Sequence, residues 1–93
     1  MLRKKMRMVM PKLDYYFFPS CPFCQRVSAT LDDLKIKVTE HNIRANEDDL
    51  NKLVSDTGRR TVPCLYIDNK PMHESADIIN WLKANQDKLE KLS

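Results

Sequence analysis

An α/β fold is predicted, a four-stranded mixed sheet with three helices in the order β-α-β-α-β-β-α. Three observations predict it. Strand-length apolar stretches alternate with stretches of helical period over the first two thirds of the chain. Two short strands then follow one another around Asp68-Asn69, a two-residue hairpin signal. The helices are announced by cap and first-turn residues rather than by composition alone.

The first strand covers about Leu13–Phe18, where Tyr15-Tyr16-Phe17-Phe18 reads as a buried run. The first helix runs from about Pro22 to Leu34, with Val27, Leu31 and Leu34 at i, i+4, i+7. The second strand spans about Lys35–Asn42; Ile36, Val38 and Glu40 alternate with Lys37, Thr39 and His41, giving one wetter face. Asn46 is the expected N-cap of the second helix, Glu47, Asp48 and Asp49 fill its first turn, Leu50, Leu53 and Val54 form its inner stripe, and Gly58 closes it. The third strand is expected at Cys64–Ile67 and the fourth at Lys70–His73. The third helix opens at Ser75 or Glu74 and runs to about Leu89, with Ile78, Ile79, Leu82 and Leu89 inward and Trp81 on a flank. The βαβ start implies a right-handed crossover and a parallel strand pair, and the closing hairpin adds antiparallel strands.

Ninety-three residues, 42% of them apolar, allow one domain with one modest core. The net charge of +3 belongs to one end. Residues 1–12 hold Arg3, Lys4, Lys5, Arg7 and Lys12 and no acid, so the remaining eleven basic residues face all thirteen acids and residues 13–93 carry −2. The expected organisation is a basic flexible tail over residues 1–12 and a domain over 13–93. The body has no aromatic-interleaved basic face, which excludes nucleic acid as a partner class. No apolar run approaches the roughly 20 residues of a membrane span. Three cysteines and the lack of an evident leader point to a reducing, cytoplasmic setting.

The chemistry centres on Cys21-Pro22-Phe23-Cys24, between the first strand and the first helix. Residues i and i+3 share one side of a helical turn, close enough for a disulfide to open and close with little backbone movement. Cys21 falls at the helix mouth, where unpaired N–H groups favour an anion and lower a thiol's pKa. Cys24 lies one turn inside and is shielded. The asymmetry makes Cys21 the attacking sulfur and Cys24 the resolving one. Pro22 suits the first helical turn, and Phe23 completes the rim. Structural zinc wants four ligands; one further Cys (Cys64) and two histidines (His41, His73), none at finger spacing, argue against a metal.

A second constellation comes from Thr61-Val62-Pro63. Pro63 at a strand entrance is a candidate cis bond that turns the Val62 backbone outward for an extended peptide; an ordinary trans proline starting a strand is the other reading. Arg59 and Arg60 complement a helix end or hold a carboxylate. At Glu74-Ser75-Ala76-Asp77, free N–H groups of Ser75 and Ala76 can hold a ligand carboxylate and Glu74 or Asp77 an ammonium; plain helix capping accounts for the same residue types. Cys64 reads as a buried strand residue, with a peripheral redox role as the alternative.

With these motifs in place the chain resembles the glutaredoxin family over about residues 13–90, on Cys21-Pro22-Phe23-Cys24, on Thr61-Val62-Pro63 after Gly58-Arg59-Arg60, and on the turn at Glu74–Asp77. The resemblance implies a thioredoxin-like fold and a glutathione-dependent oxidoreductase that reduces protein disulfides and protein–glutathione mixed disulfides. It implies Cys21 as nucleophile, Cys24 as resolving thiol, a cis Pro63, Val62 pairing with the glutathione backbone, Arg60 near the glycine carboxylate, and Ser75, Ala76 and Asp77 at the γ-glutamyl end. Glutathione is then a reducing co-substrate with no bound cofactor, and the chain a monomer acting on disulfide or glutathionylated proteins. Two positions depart from the pattern. Phe18 stands where the family often has a Lys, which leaves one cation for the glycine carboxylate missing. His73-Glu74 stands where paired glycines are usual, and Glu74-Ser75 resembles instead the Glu-Ser of the N-terminal domain of glutathione transferases. A glutathione-ligated iron–sulfur protein and a thioredoxin-like reductant are the rival readings.

Overall fold

The computed structural model describes residues 10–92. β1 (Leu13–Phe17), α1 (Pro22–Leu34), β2 (Thr39–Asn42), α2 (Glu47–Thr57), β3 (Cys64–Ile67), β4 (Lys70–Met72) and α3 (Ser75–Asn85) follow in the expected order, with a 3-10 turn at Gln86–Lys88 after α3. The sheet order is β2-β1-β3-β4. β1 pairs parallel with β2, Phe17 opposite Asn42, and antiparallel with β3, Tyr16 opposite Cys64. β4 closes the other edge antiparallel to β3, Pro71 opposite Tyr66.

Period-2 alternation along the two central strands builds two cores, one on each face of the sheet. Leu13, Tyr15 and Leu65 point to the face covered by α1 (Val27, Leu31) and α3 (Ile78, Leu82), with Ile36 and Leu89 completing that cluster. Tyr16, Cys64 and Tyr66 point to the opposite face, where Leu53 of α2 and Ile43 pack. Both clusters end close to the C-terminal end of β1, so the loop that follows β1 is anchored from above and below. Trp81 covers a flank of the larger cluster, as expected.

Helix ends follow local chemistry. Asn46 caps α2, its side chain accepting from the Asp49 N–H at 3.2 Å. Gly58 ends α2 at φ 77°, a conformation glycine adopts without a Cβ penalty. The Asp68-Asn69 hairpin has positive φ at both residues (49° and 71°), the geometry of a type I′ turn.

The differences from expectation are at element ends. The second strand was expected from Lys35, but Lys35 takes a left-handed conformation (φ 56°) that ends α1 by bonding back to Asp32 and Leu31. Ile36 then drops into the core and makes only an isolated bridge to Lys91. β1 stops at Phe17 and β4 at Met72, each one residue early. α3 ends at Asn85 because the chain tightens into the 3-10 turn. Val54 lies on the rim of α2, 38% exposed, rather than in its inner stripe. Most of the expected tail, residues 1–9, lies outside the described residues. Lys12, grouped with that tail, is tied to the hairpin: its N–H donates to Asp68 Oδ1 at 2.8 Å and its carbonyl accepts from the Asp68 N–H at 2.9 Å. Among the described residues no helix is long and apolar enough to cross a membrane.

Candidate active site

Cys21 is the N-cap of α1, with Pro22 as its first helical residue. The Cys21 sulfur accepts the Cys24 N–H at 3.4 Å, taking the place that a Ser or Asp oxygen occupies at ordinary caps. The Cys21 N–H donates to the Phe18 carbonyl at 3.2 Å and the Cys21 carbonyl accepts from the Gln25 N–H at 2.9 Å, so this residue is held on both sides. Gln25 Nε2 adds a bond to the Pro19 carbonyl at 3.0 Å, bracing the loop.

Cys24 is buried, as its place one turn inside predicts. Burial pushes its thiol up to about 12, and the neighbouring Cys21, by hydrogen bond and by charge, pushes in the same direction. Both cysteines are free thiols. Sequence reasoning missed a support for this turn. The buried Tyr15 hydroxyl donates to the Cys24 carbonyl at 2.8 Å and lies 2.9 Å from Ser28 Oγ. Burial raises the Tyr15 phenol well above its ordinary value, so it stays a donor. Tyr15 sits in a strand pattern that signals only a core residue, and nothing local to it announces the contact with α1.

Facing the dithiol, the Val62–Pro63 peptide is cis. Among the described residues the Val62 backbone makes no hydrogen bond, so its N–H and C=O remain free for an extended ligand. Phe23, Thr61, Val62, Pro63, Glu74 and Ser75 line one cleft of about 200 Å³. Phe23 is 56% exposed, an aromatic surface at the cleft mouth. Glu74 is the N-cap of α3 at φ 72°, ψ 109°, and no side chain caps this helix. A non-glycine residue held there costs about 1–3 kcal/mol.

The cleft therefore gathers six of the expected residues. Ala76 and Asp77 lie in the adjoining first turn of α3, both exposed, and Pro22 is exposed behind Phe23. Arg60 is not brought to this cleft; it borders a hollow on α2 with Leu50, Asn51, Val54 and Ser55. Its neighbour Arg59 points the other way, with Nη2 3.4 Å from His73 Nδ1. Because guanidinium only donates, His73 Nδ1 is the acceptor in this contact, and the buried Nε2 has no hydrogen-bond partner among the described residues. Burial, reinforced by the Arg59 charge, holds the His73 imidazole below its ordinary pKa. Cys64 is buried beneath Pro63 in the smaller core, its thiol pushed up to about 11 by burial, which fits a packing role. Position 18 holds a further surprise: the Arg44 guanidinium lies 3.9 Å over the Phe18 ring.

Residues 12–72 match the glutaredoxin family model. The chain belongs to the glutaredoxin family. Among curated glutaredoxins it is 40% identical over 74 residues to the chloroplastic glutaredoxin-C4 of Oryza sativa subsp. japonica, covering 67% of this chain and 56% of that one. It is 30% identical over 59 residues to glutaredoxin 3 of Escherichia coli K12, covering 63% of this chain and 71% of that one. The chain thus spans little more than half the length of the rice relative. The fold is thioredoxin-like: a wheat glutaredoxin superposes with a TM-score of 0.67 at 23% identity, covering 86% of this chain and 83% of that one. A glutathione transferase homologue from Drosophila mojavensis superposes at 0.69 and 22% identity, covering 85% of this chain but 37% of that one. The family match contains the dithiol and the Thr61–Pro63 wall of the cleft.

Proposed function

We propose that this glutaredoxin reduces protein disulfides and protein–glutathione mixed disulfides, with glutathione as the reductant. The observation that carries the reading is the Cys21 sulfur capping α1 and accepting the Cys24 N–H, next to a cleft with a free Val62 backbone on one wall and the uncapped start of α3 on the other.

Cys21, as thiolate, attacks one sulfur of a substrate disulfide. The old S–S bond breaks, its electron pair leaves on the departing sulfur, and that sulfur takes a proton. A mixed disulfide on Cys21 remains. Once bonded in the mixed disulfide, the Cys21 sulfur carries no thiolate charge, so the charge by which Cys21 raises the Cys24 pKa is removed. Cys24 becomes a better nucleophile at the step that needs it. It loses its proton, attacks Cys21 and releases the reduced substrate. Two glutathiones restore the pair: one thiolate opens the Cys21–Cys24 disulfide, and a second displaces the first from Cys21 as glutathione disulfide. Where glutathione is itself the group attached to the substrate, attack by Cys21 and discharge by one glutathione suffice, without Cys24.

Glutathione fits the cleft through its chemistry. Its peptide bonds match the free Val62 N–H and C=O, and its γ-glutamyl carboxylate matches the N–H groups of Ser75 and Ala76 at the positive end of α3. Its ammonium matches Glu74 or Asp77. Three free thiols suit a reducing compartment such as the cytoplasm.

The test is turnover with glutathione and two substrates, a small glutathione mixed disulfide and a protein disulfide. Cys21→Ser is expected to abolish both, by at least about 10³-fold. Cys24→Ser is expected to keep the first and lose the second. Full turnover by Cys21→Ser overturns the assignment of the nucleophile.

A further inference from the structure

We propose that Arg44, on the loop after β2, binds the terminal carboxylate of the thiol ligand, with Phe18 as the residue that positions it. The inference rests on the glutathione reading above and names a contact that reading leaves open, since Arg60 is not among the residues that line the cleft.

Four observations fix the Arg44 guanidinium at the Phe18 side of the dithiol. Phe17 is opposite Asn42 in the β1–β2 register, so the residues that follow each strand emerge side by side. The Ile43 N–H donates to the Phe17 carbonyl at 2.9 Å, which carries the pairing one residue further. The Asn42 side-chain oxygen accepts the Arg44 N–H at 3.0 Å and the Ala45 N–H at 3.3 Å, and this local turn holds the Arg44 backbone. The guanidinium then lies 3.9 Å above the Phe18 ring. Phe18 in turn gives its carbonyl to the Cys21 N–H and packs against the same small core as Val62 and Leu50. The cation is therefore mounted on the element that leads into the nucleophile, and its ring support shares a core with the peptide-pairing residue of the cleft.

The charge is exposed and, among the described residues, faces no carboxylate within ion-pair distance. Of the acids in the first turn of α2, Asp49 spends Oδ1 on His41 Nδ1 at 2.9 Å. A ring beneath a guanidinium restrains its plane and leaves the N–H edge open. That edge matches a carboxylate bidentately. A ligand lying along Val62 with its thiol at Cys21 has its γ-glutamyl end at α3, so its other end, the glycine carboxylate, runs toward the side that Arg44 occupies.

The experiment compares glutathione with its glycine ethyl ester, which lacks only that carboxylate charge. Arg44→Ala is expected to raise KM for glutathione about fivefold to tenfold, with kcat unchanged within about twofold and KM for the ester unchanged. Phe18→Leu, which keeps the apolar packing and removes the ring face, is expected to give a smaller rise of the same kind. Lys88→Gln, distant on the 3-10 turn, controls for net charge and should move neither KM. If Arg44→Ala leaves KM for glutathione as it was, or raises it equally for both compounds, the assignment is overturned while the glutathione reading stands. If the unmodified chain turns over neither compound, the glutathione reading falls and this inference with it.

Discussion

Two helix starts open on the same cleft and are finished in opposite ways. α1 is capped by the sulfur of Cys21, which accepts the Cys24 N–H. α3 has Glu74 at its cap position, with positive φ and no side chain bonded to the first turn. α2, away from the cleft, shows the ordinary solution: Asn46 as cap and three acids behind it. The contrast assigns tasks. On the proposed function, the α1 donors stabilise the sulfur that reacts, so that capping and chemistry become one contact. On the same proposal, the α3 donors serve a ligand, and the positive φ of Glu74 is the backbone conformation that keeps them open. Strain of this kind persists where surrounding structure holds it, and it clusters at ligand clamps.

The comparison breaks most visibly at α1. Cys21→Ser and Cys21→Ala should be equally inactive, but only the alanine should lose stability, by about 1 kcal/mol, because serine still caps the helix. Equal melting temperatures for the two would mean that the cap contact contributes nothing. At α3, Glu74→Gly should do the reverse. It relieves the positive-φ strain and should raise stability by about 1 kcal/mol, several degrees in melting temperature for a domain of this size, while raising KM for glutathione a few-fold through loss of the carboxylate. A glycine variant less stable than the parent would show that Glu74 is held by contacts rather than tolerated. Tyr15→Phe should cost about 1 kcal/mol in chemical denaturation by removing the bond to the Cys24 carbonyl. Its effect on protein-disulfide turnover should exceed that on mixed-disulfide turnover, since the turn that it braces carries the resolving thiol.

The smallest effect is in pH. His73 lies between Arg59 and Glu74, at the turn leading into α3, and its folded pKa is depressed below 6.5. The unfolded chain therefore takes up this proton first. The contribution is intact above pH 6.5 and is lost as pH falls through the lower folded value. Between pH 7.5 and pH 5 the parent should lose more stability than His73→Asn, measured by thermal unfolding; parallel losses would remove His73 from the account.

Much of this arrangement was legible in the chain. α1 and α2 were bounded correctly because Pro22, Asn46 and Gly58 act through local geometry, and Asp68-Asn69 declared its own turn. The dithiol, Thr61–Pro63 and Glu74–Ser75 were placed as facing parts, because strand ends in such a fold converge. The errors were tertiary. Lys35 has no feature that marks it for a left-handed cap, and Ile36 left the strand because the core needed it. Arg60 came from the family resemblance, whereas the place of Arg44 over Phe18 is a contact across the β1–β2 pair, between residues 26 positions apart, that no local pattern displays. The Tyr15 bond to Cys24 failed to show for the same reason.

Pro71, the middle residue of β4, stands on the outer edge of the sheet. It has no N–H, and the lysine beside it carries a charge. A second copy approaching that margin meets an interrupted row of donors and cannot extend the sheet across the boundary. Such a margin guards against edge-to-edge growth into fibrils.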